Sequence, residues 1–591
     1  MIRAYIFIFS LTFLLSCSNS NNEFIPQFGQ KITQSVQFKK DTFKINATDS
    51  LNQPLLTIEG ENLVIDFNNA TLTGSNDKNW PNEFYGLAIL IKNSKNITLK
   101  NANIHGYKVA VLAENTDSLK IENCDFSYNY RQKLKSIRER EDLSDWLSYH
   151  QNDNGEWLRY GMGIYLKNCD NTLVKNVKIT GGQNGLMMTE CDDGLFYNNE
   201  INFNSGIGIG LYRSNRNRVM HNKLDWNVRG YSHGFYSRGQ DSAGILVYEQ
   251  SNENRFAFNS ATHSGDGFFL WAGQTTMDTG KGGCNNNRIE WNDFSYAPTN
   301  GIEVTFSSNT IFNNKMIECR YGIWGGYSWE TSITYNQIQD CEFGIAIEHG
   351  QDNFIKCNEL KNNQTGIKLW EREIQSEDWG YSENKNVTSQ NYDITGNNIL
   401  ASEKPLDITF TKNVTEELIK RNQISDSAEK VESLCSNPLW KLEKIEDGMD
   451  VSLPENHPSG RQYILVNEWG PYDFKYPVIW LREIKENKYI FLLLGPQGNW
   501  KCIGGKGLKD FGPKTGTFPA TLVAEKDPKS DEIALDLEFI GEAVTDQFGK
   551  KYGRGTVFPF SFYRYQKTLN WEVKWYEYDD STDPLKNYEA F

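Results

Sequence analysis

The feature that most constrains the fold is a short repeat. A glycine followed by alternating apolar residues recurs nine times, first as Gly163-Ile-Tyr-Leu and last as Gly366-Ile-Lys-Leu. Most successive glycines are 21 to 23 residues apart, and two intervals are longer, at 36 and 34 residues. A unit of this size cannot bury its apolar face alone, so neighbouring copies must stack. The chain is therefore predicted to form a solenoid with about 22 residues in each coil.

Each coil also carries a second strand that ends in asparagine. Asparagine tolerates the left-handed backbone of a tight turn, and its amide can hydrogen-bond to the copy one coil above. We predict that this row is part of the scaffold and has no chemical role. The row comprises Asn101, Asn123, Asn176, Asn198, Asn222, Asn259, Asn292, Asn314, Asn336 and Asn358.

The glycine and asparagine repeats resemble the parallel β-helix repeats of carbohydrate-binding proteins and sugar hydrolases, a group that includes NosD-like proteins and pectate lyases. The resemblance covers roughly residues 55 to 415. It implies an all-β fold, a right-handed parallel β-helix of ten or more coils, and a carbohydrate partner. Thr415 to Asn422 is predicted to form a short capping helix.

The N-terminus predicts export. An apolar run from Ile6 to Leu15 follows Arg3 and is too short to span a bilayer. Leu14-Leu15-Ser16-Cys17 resembles a bacterial lipoprotein processing signal, which implies cleavage before Cys17 and a lipid on its thiol. We expect an exported protein that is lipid-anchored to a membrane, the outer membrane if the cell has one, and that works in the periplasm or at the cell surface.

Four segments follow from these patterns. Residues 1–16 are the lipoprotein signal peptide, 17–54 a tether and N-terminal cap, and 55–430 the β-helix. Residues 431–591 contain alternating strands such as Lys488-Tyr-Ile-Phe-Leu-Leu-Leu, separated by glycine and proline, and predict an antiparallel β-sandwich.

Charge and cysteine usage limit the partners. A formal charge of −15 argues against nucleic acid and mildly against acidic substrates. The sequence has no CxxC pair and no closely spaced histidine pair, so no metal site and no cofactor are predicted. Cys169 and Cys191 share one repeat position, and Cys319 and Cys341 another, which predicts stacking of small buried side chains, with disulfides left as an alternative. We expect a monomer.

Strand alternation identifies the outward face of the solenoid. The first and third residues after each glycine are mostly aliphatic or phenylalanine and should face the core, so the second and fourth should face solvent. Large aromatic residues at such positions usually mark a binding surface, and rings on successive coils could stack on successive sugars. The alternative is that inserted loops cover these rings. The aromatic residues in question are Tyr212, Tyr248, Phe269, Trp271, Trp324 and Trp370.

Three insertions surround this face. They span residues 129–160, 228–241 and 273–283, and the last two account for the two long intervals between glycines. Long loops on a rigid scaffold are where sites are commonly built.

Acidic residues on this face predict general acid–base chemistry. Glu303 is the preferred catalytic residue because it lies at an outward position in the middle of a strand. Its partner could be Asp266, Glu249 or Glu348, and His263 could orient a carboxylate or transfer a proton. The predicted substrate-binding residues are His233, Arg238, Asp241, Tyr248, Phe269, Trp271, Trp324, His349 and Trp370.

The function predicted from these residues is polysaccharide hydrolysis by paired carboxylates. A lyase or epimerase is an alternative, but it must neutralise a uronate carboxylate, and the outward basic residues are scattered. A non-catalytic carbohydrate-binding or periplasmic NosD-like accessory protein is the second alternative.

Overall fold

The computed structural model describes residues 23–136, 142–230, 241–372, 380–429, 434–435, 444–453 and 457–565. The chain divides into two compact units between Tyr472 and Asp473. The first unit contains the parallel β-helix, and the second is an antiparallel β domain. The helix–domain boundary at residue 430 remains a sequence-based prediction. Within the described residues, no helix is long and apolar enough to cross a bilayer.

Three parallel sheets form the walls of the β-helix. Sheet 1 has fourteen strands, one for each coil, which agrees with the prediction of ten or more coils. Its strands are Gln30–Ile32, Leu56–Ile58, Leu87–Lys95, Val109–Asp117, Met162–Lys167, Asn184–Thr189, Ile207–Tyr212, Ala243–Tyr248, Asp266–Trp271, Asn300–Val304, Tyr321–Trp324, Phe343–Glu348, Thr365–Trp370 and Lys404–Ile408.

Sheet 2 has thirteen strands in the same coil order. They are Val36–Gln37, Val64–Asp66, Thr98–Lys100, Lys120–Glu122, Leu173–Lys175, Leu195–Tyr197, Arg218–Met220, Arg255–Ala257, Arg288–Glu290, Thr310–Phe312, Ser332–Thr334, Phe354–Lys356 and Asp393–Thr395.

Sheet 3 consists of three groups of strands joined by single bridges. The groups are Thr42–Lys44, Thr71–Thr73 and Asn103–His105; Lys178–Thr180 and Glu200–Asn202; and Lys315–Ile317, Gln337–Gln339, Glu359–Lys361, Asn398–Leu400 and Gln423–Ser425. A short two-stranded sheet, Val466–Asn467 with Gly470–Pro471, lies near the end of the first unit.

Helices are short. The α-helices are Gln274–Thr279, Gly380–Asn384 and Glu416–Ile419, and the 3-10 helices are Pro81–Glu83, Leu143–Asp145, Glu156–Arg159 and Arg461–Tyr463. Thr415 caps the third α-helix by accepting a hydrogen bond from the Leu418 amide, as predicted for a capping helix.

The repeated glycines are required by the close approach of the walls. A Cβ at Gly163 would lie 2.8 Å from Ile179 Cδ1 and 3.2 Å from the Gly185 carbonyl oxygen. Residue pairing between coils passes from Met162↔Asn184 directly to Ile164↔Leu186 and skips the glycine. As a result, the residue before each glycine also lies on the outer side of sheet 1, as Ile207 and Ala243 show.

The asparagine ladder is confirmed from Asn222 onward, and in the coil before it the ladder residue is Asn199. The predicted residues Asn101, Asn123, Asn176 and Asn198 instead occupy the left-handed turn position. Asn199 donates to Asn222 at 2.9 Å, Asn222 to Asn259 at 3.0 Å, and the chain of bonds continues to Asn422. These ladder amides are buried, and the left-handed residue is the one before, as at His221. The ladder asparagines therefore hold the coils together, while the turn geometry belongs to their neighbours.

The cysteines mostly follow the predicted pattern. Cys169, Cys191, Cys319 and Cys341 are free and buried, and the Cys169 amide donates to Cys191 Sγ at 3.3 Å. A disulfide joins Cys357 to Cys435, outside the two stacked pairs.

The C-terminal unit contains two four-stranded antiparallel sheets, as expected for a β-sandwich. The rings of Phe491 and Phe562, from opposite sheets, are 4.9 Å apart. One sheet comprises Val478–Lys485, Lys488–Leu494, Ala520–Lys526 and Leu508–Phe511; the other comprises Thr515–Thr517, Gly498–Lys506, Glu532–Gly541 and Phe558–Tyr565; a pair, Val544–Thr545 and Lys551–Tyr552, completes the unit.

Candidate functional site

The outward face of sheet 1 is largely covered in its first coils. Tyr165, Met187, Tyr212 and Tyr248 occupy predicted solvent positions, yet each is at most 2% exposed. The insertion before Met162 lies over them, and its apolar side chains form a second core with theirs. The expectation of a solvent-facing row is therefore wrong for these coils, because the insertion buries it.

The face opens into a pocket where this cover ends. The pocket has a volume of about 200 Å³ and holds Glu303 and Glu348, the preferred acid and one of its candidate partners. Three of the predicted aromatic residues also line it. The full lining is His150, Phe269, Trp271, Glu303, Thr305, Phe306, Trp324, Gly326, Tyr327, Glu348 and Arg372.

Glu303 is held by an amide from its own strand. Asn300 Nδ2 donates to Glu303 Oε2 at 2.8 Å, and the Asn300 backbone amide donates to Asp266 Oδ1 at 2.8 Å. Asp266 also accepts a hydrogen bond from Thr299 Oγ1. Thus Asp266 lies one coil before Glu303, and Asn300 connects the two carboxyl groups by hydrogen bonds.

Both carboxyl groups have a raised affinity for protons. Burial raises the pKa of Glu303 well above its usual value, and the charge of Asp266 adds to this effect. Burial also raises the pKa of Asp266 to about 7, against the hydrogen bonds that favour its ionised form. The Glu303 carboxyl group in the pocket therefore retains its proton to a higher pH than an exposed glutamate does.

Glu348 lies in the opposite electrostatic environment. Trp370 Nε1 donates to its Oε1 at 2.8 Å, and Arg372 Nε donates to the same oxygen in an ion pair. Glu348 itself is 2% exposed, so these donors stabilise a buried carboxylate. The pocket thus contains one carboxyl group whose pKa is raised by burial and one that lies in an ion pair.

Several aromatic side chains form the rest of the pocket. His150, from the insertion, stacks on Tyr248 at 5.7 Å and contacts Trp271 edge-on at 5.2 Å. Tyr248 is buried beneath this stack, and its hydroxyl has no hydrogen-bond partner in the described structure. Trp324 and Trp370 lie 5.5 Å apart and are both half-exposed.

Other predicted residues do not line the pocket. His263 is stacked between Trp226 and Tyr296, at 3.8 and 4.6 Å, on the corner before sheet 1, and burial lowers its pKa well below the usual value. Glu249 is 1% exposed and lies 3.7 Å from Arg213.

His349 and Asp241 have packing contacts of their own. His349 Nδ1 lies 2.6 Å from the Val387 carbonyl oxygen, while Nε2 accepts from the Arg372 amide at 3.0 Å, so the ring holds a loop in place. Asp241 is buried and paired with Arg229. His233, Arg238 and Cys17 lie outside the described residues.

Several contributors to the site were not among the predicted residues. Asn300 directly precedes Gly301, just as Asp266 directly precedes Gly267. This shared position in the repeat could have indicated that the two residues lie next to each other on successive coils. Arg372, His150 and Tyr327 come from connections between strands, where the repeat carries no information about position.

Two family models match the β-helix. Residues 87–261 match the model described as right handed beta helix region, and residues 279–377 match the model described as periplasmic copper-binding protein (NosD). Among curated proteins, none matches the chain in sequence.

Solved structures with low sequence identity align with the chain. The periplasmic alginate epimerase AlgG aligns with 11% identity, a TM-score of 0.33, and 67% of this chain and 75% of that chain covered. The catalytic domain of GH87 alpha-1,3-glucanase in complex with nigerose aligns with 12% identity, a TM-score of 0.39, and coverage of 66% and 63%. The Dettilon tailspike protein aligns with 14% identity, a TM-score of 0.32, and coverage of 86% and 87%.

The second family description names copper, which would need a group of ligating side chains. Among the described residues, no group of three or more histidine, cysteine, aspartate or glutamate side chains is placed to hold a metal ion. The free cysteines in the β-helix are buried in its walls. This part of the chain therefore does not fit a copper centre.

Proposed function

We propose that this parallel β-helix protein is a glycoside hydrolase that acts on a polysaccharide. The observation that carries the proposal is that one pocket contains Glu303 in a proton-retaining environment and Glu348 in an ion pair. Pairs of carboxyl groups whose surroundings separate their pKa values are the usual acid–base arrangement in glycosidases.

The proposed reaction uses the two groups in complementary roles. Glu303 donates its proton to the glycosidic oxygen as the bond from that oxygen to the anomeric carbon breaks. Glu348 takes a proton from water, whose oxygen bonds to the anomeric carbon. Their β-strands are two coils apart, roughly 10 Å between backbones, which leaves room for a water molecule as an inverting mechanism requires. Asp266 acts as a positioning residue through Asn300.

The charge of the pocket favours a neutral sugar. Arg372 is the cationic side chain in the described lining, and it is already paired with Glu348. A uronate carboxylate bound here would lie beside two acidic residues, and the cation of the described lining is already engaged by one of them. This observation favours hydrolysis over lyase or epimerase chemistry, which must neutralise that carboxylate.

The proposal is tested with Glu303→Gln on a panel of neutral polysaccharides. We expect kcat to fall by about a thousandfold, within the range for loss of a general acid. Glu114→Gln is the matched control, because Glu114 lies at an outward position of the same sheet, far from the pocket in coil order. Full activity of Glu303→Gln would contradict the assignment, and binding without cleavage across the panel would favour the carbohydrate-binding alternative.

We also propose that the protein is exported and anchored by a lipid on Cys17. The Cys357–Cys435 disulfide supports export, because disulfides persist mainly in oxidising compartments. We expect the wild-type protein to incorporate labelled palmitate and the variant Cys17→Ser to incorporate none. Equal labelling of the wild type and the variant would contradict the anchor.

A further inference from the structure

We propose that the pocket receives one end of a glycan chain, so that the enzyme removes terminal units and does not cut internally. This inference rests on the proposed hydrolase function and concerns which part of the substrate the site accepts. Its basis is that, among the described residues, an insertion covers the outward face of sheet 1 on the N-terminal side of the pocket, while aromatic rings stay half-exposed on the C-terminal side.

The closed side is a firmly attached insertion. Trp157 is fully buried in it and donates from Nε1 to the Tyr149 carbonyl oxygen at 3.1 Å. Tyr149 Oη donates to Asn184 Oδ1 at 2.6 Å, and Asn152 Nδ2 donates to Tyr165 Oη at 2.8 Å. These bonds tie the insertion to successive strands of sheet 1, so a sugar chain cannot pass along the face beneath it.

Two helices close one flank of the pocket. Gln274–Thr279 and Gly380–Asn384 place Met277 and Tyr381 in a cluster with Phe306 and Tyr327, both of which line the pocket. The Phe306 and Tyr327 rings stack at 4.6 Å, and each contacts the Tyr381 ring edge-on. The wall is therefore a packed apolar structure.

The open side carries a platform of half-exposed rings on the next coils. Trp324 lies 5.1 Å from Tyr321 and 5.5 Å from Trp370, and Tyr321 stacks on Phe343 at 5.0 Å. All four residues are half-exposed, in contrast to the fully covered aromatic residues on the closed side. Apolar rings left accessible in a row are typical of a binding surface.

The size of the pocket agrees with a single terminal unit. Its volume of about 200 Å³ lies below the roughly 300–1,000 Å³ of pockets that enclose drug-sized ligands, which suits a short end of a chain. The rest of the chain would extend over the platform, where coils about 4.8 Å apart offer rings for successive sugars.

The first test follows the products from reducing-end-labelled oligosaccharides of a neutral glycan that the wild-type enzyme cleaves. We expect one small product from the earliest time points and a stepwise shortening of the remaining chain. A mixture of internal fragments at early times would overturn the inference and leave the hydrolase proposal intact. Absence of cleavage across the whole panel would reject the hydrolase proposal, and this inference with it.

The second test uses Phe343→Ala, which alters the platform outside the pocket lining. We expect kcat/KM for long oligosaccharides to fall about fivefold, with the value for a disaccharide unchanged. Phe354→Ala is the control, because Phe354 is 41% exposed on sheet 2, a different wall. An equal loss on short and long substrates, or no loss on either, would contradict a chain lying on this platform.

Discussion

Asp266 and Glu303 illustrate how a rigid wall can impose an unfavourable protonation state. Asp266 is fully buried, and its Oδ2 has no hydrogen-bond partner in the described structure. Leaving a buried polar atom unpaired costs on the order of 1–3 kcal/mol, so the scaffold tolerates a local penalty here. The neighbouring Glu303 then experiences a nearby acidic group and little solvent, which are the two causes of its raised pKa.

The first prediction concerns the pH dependence of stability at Asp266. Its pKa is about 7 in the folded protein and near 3.8 when unfolded, so the folded state binds more protons between these values. The contribution of Asp266 to the free energy of unfolding is therefore complete below about pH 3.8 and is lost as pH rises through about 7, a change of a few kcal/mol from this group alone. Urea unfolding at several pH values measures this.

The matched variants are Asp266→Asn and Asp340→Asn. Asparagine at 266 keeps the oxygen that accepts from Thr299 and Asn300 but does not titrate, so the slope between pH 4 and 7 should become shallower. Asp340 is exposed, and its variant should keep the wild-type slope. Identical slopes in Asp266→Asn and the wild type would refute the raised pKa.

At the level of elements, the periodic parts of the chain were predictable, whereas the insertions could be located but their contacts could not be predicted. A glycine at each close approach and an asparagine at each ladder position repeat because every coil meets the same packing problem. The insertion before Met162 occurs only once, so the sequence contains no second copy whose pattern would show where its side chains pack. For this reason the sequence could assign Glu303 and Glu348 to one face, while it gave no sign of His150 and offered the burial of Tyr248 only as an alternative.

The second prediction tests the ladder as an element. Asn292 Oδ1 accepts from both the backbone and side-chain amides of Asn259 at 2.9 Å, and its Nδ2 donates to Asn314 and to the Phe256 carbonyl. Asn292→Ala leaves several buried groups unpaired and should lower the free energy of unfolding by about 3 kcal/mol or more. The midpoint of urea unfolding, followed by tryptophan fluorescence, measures the loss.

The control for the ladder is Asn103→Ala. Asn103 is half-exposed. In the described structure its side-chain amide donates two long hydrogen bonds, both 3.4 Å, to backbone carbonyl oxygens. Its replacement should change the midpoint little, within about 0.5 kcal/mol. A comparable loss in both variants would show that the ladder has no special part in joining the coils.

At the scale of the whole molecule, the end of the repeat is not the end of the first unit. The repeat stops near residue 430, which is why the sequence placed a boundary there, but residues up to Tyr472 belong to the β-helix unit. The stretch 444–472 has no periodicity, yet the Trp226 indole donates to the Tyr463 carbonyl oxygen at 3.2 Å, and Met449 bonds to Asn198 at 2.7 Å. This stretch is attached to the β-helix by contacts with residues that are distant in sequence, and a repeat pattern does not reveal such contacts.

The third prediction compares chains that end at residue 472 and at residue 430. The longer chain should keep the thermal midpoint of the β-helix, because the second unit is compact in itself. The shorter chain loses the cover over Val228, which packs with Ile464 and Val466, and over the ring of Trp226. Exposing two such side chains removes roughly 3–6 kcal/mol of hydrophobic stabilisation, which should lower the midpoint by several degrees.

Ending the chain at residue 430 also removes Cys435 and with it the disulfide to Cys357. The variant Cys435→Ser in the chain that ends at 472 separates the two effects, since it keeps the apolar cover. We expect the 430 chain to melt at a lower temperature than this variant in scanning calorimetry. Equal midpoints would mean that the covering segment adds nothing beyond its cross-link, and a 430 chain as stable as the 472 chain would place the boundary where the repeat ends.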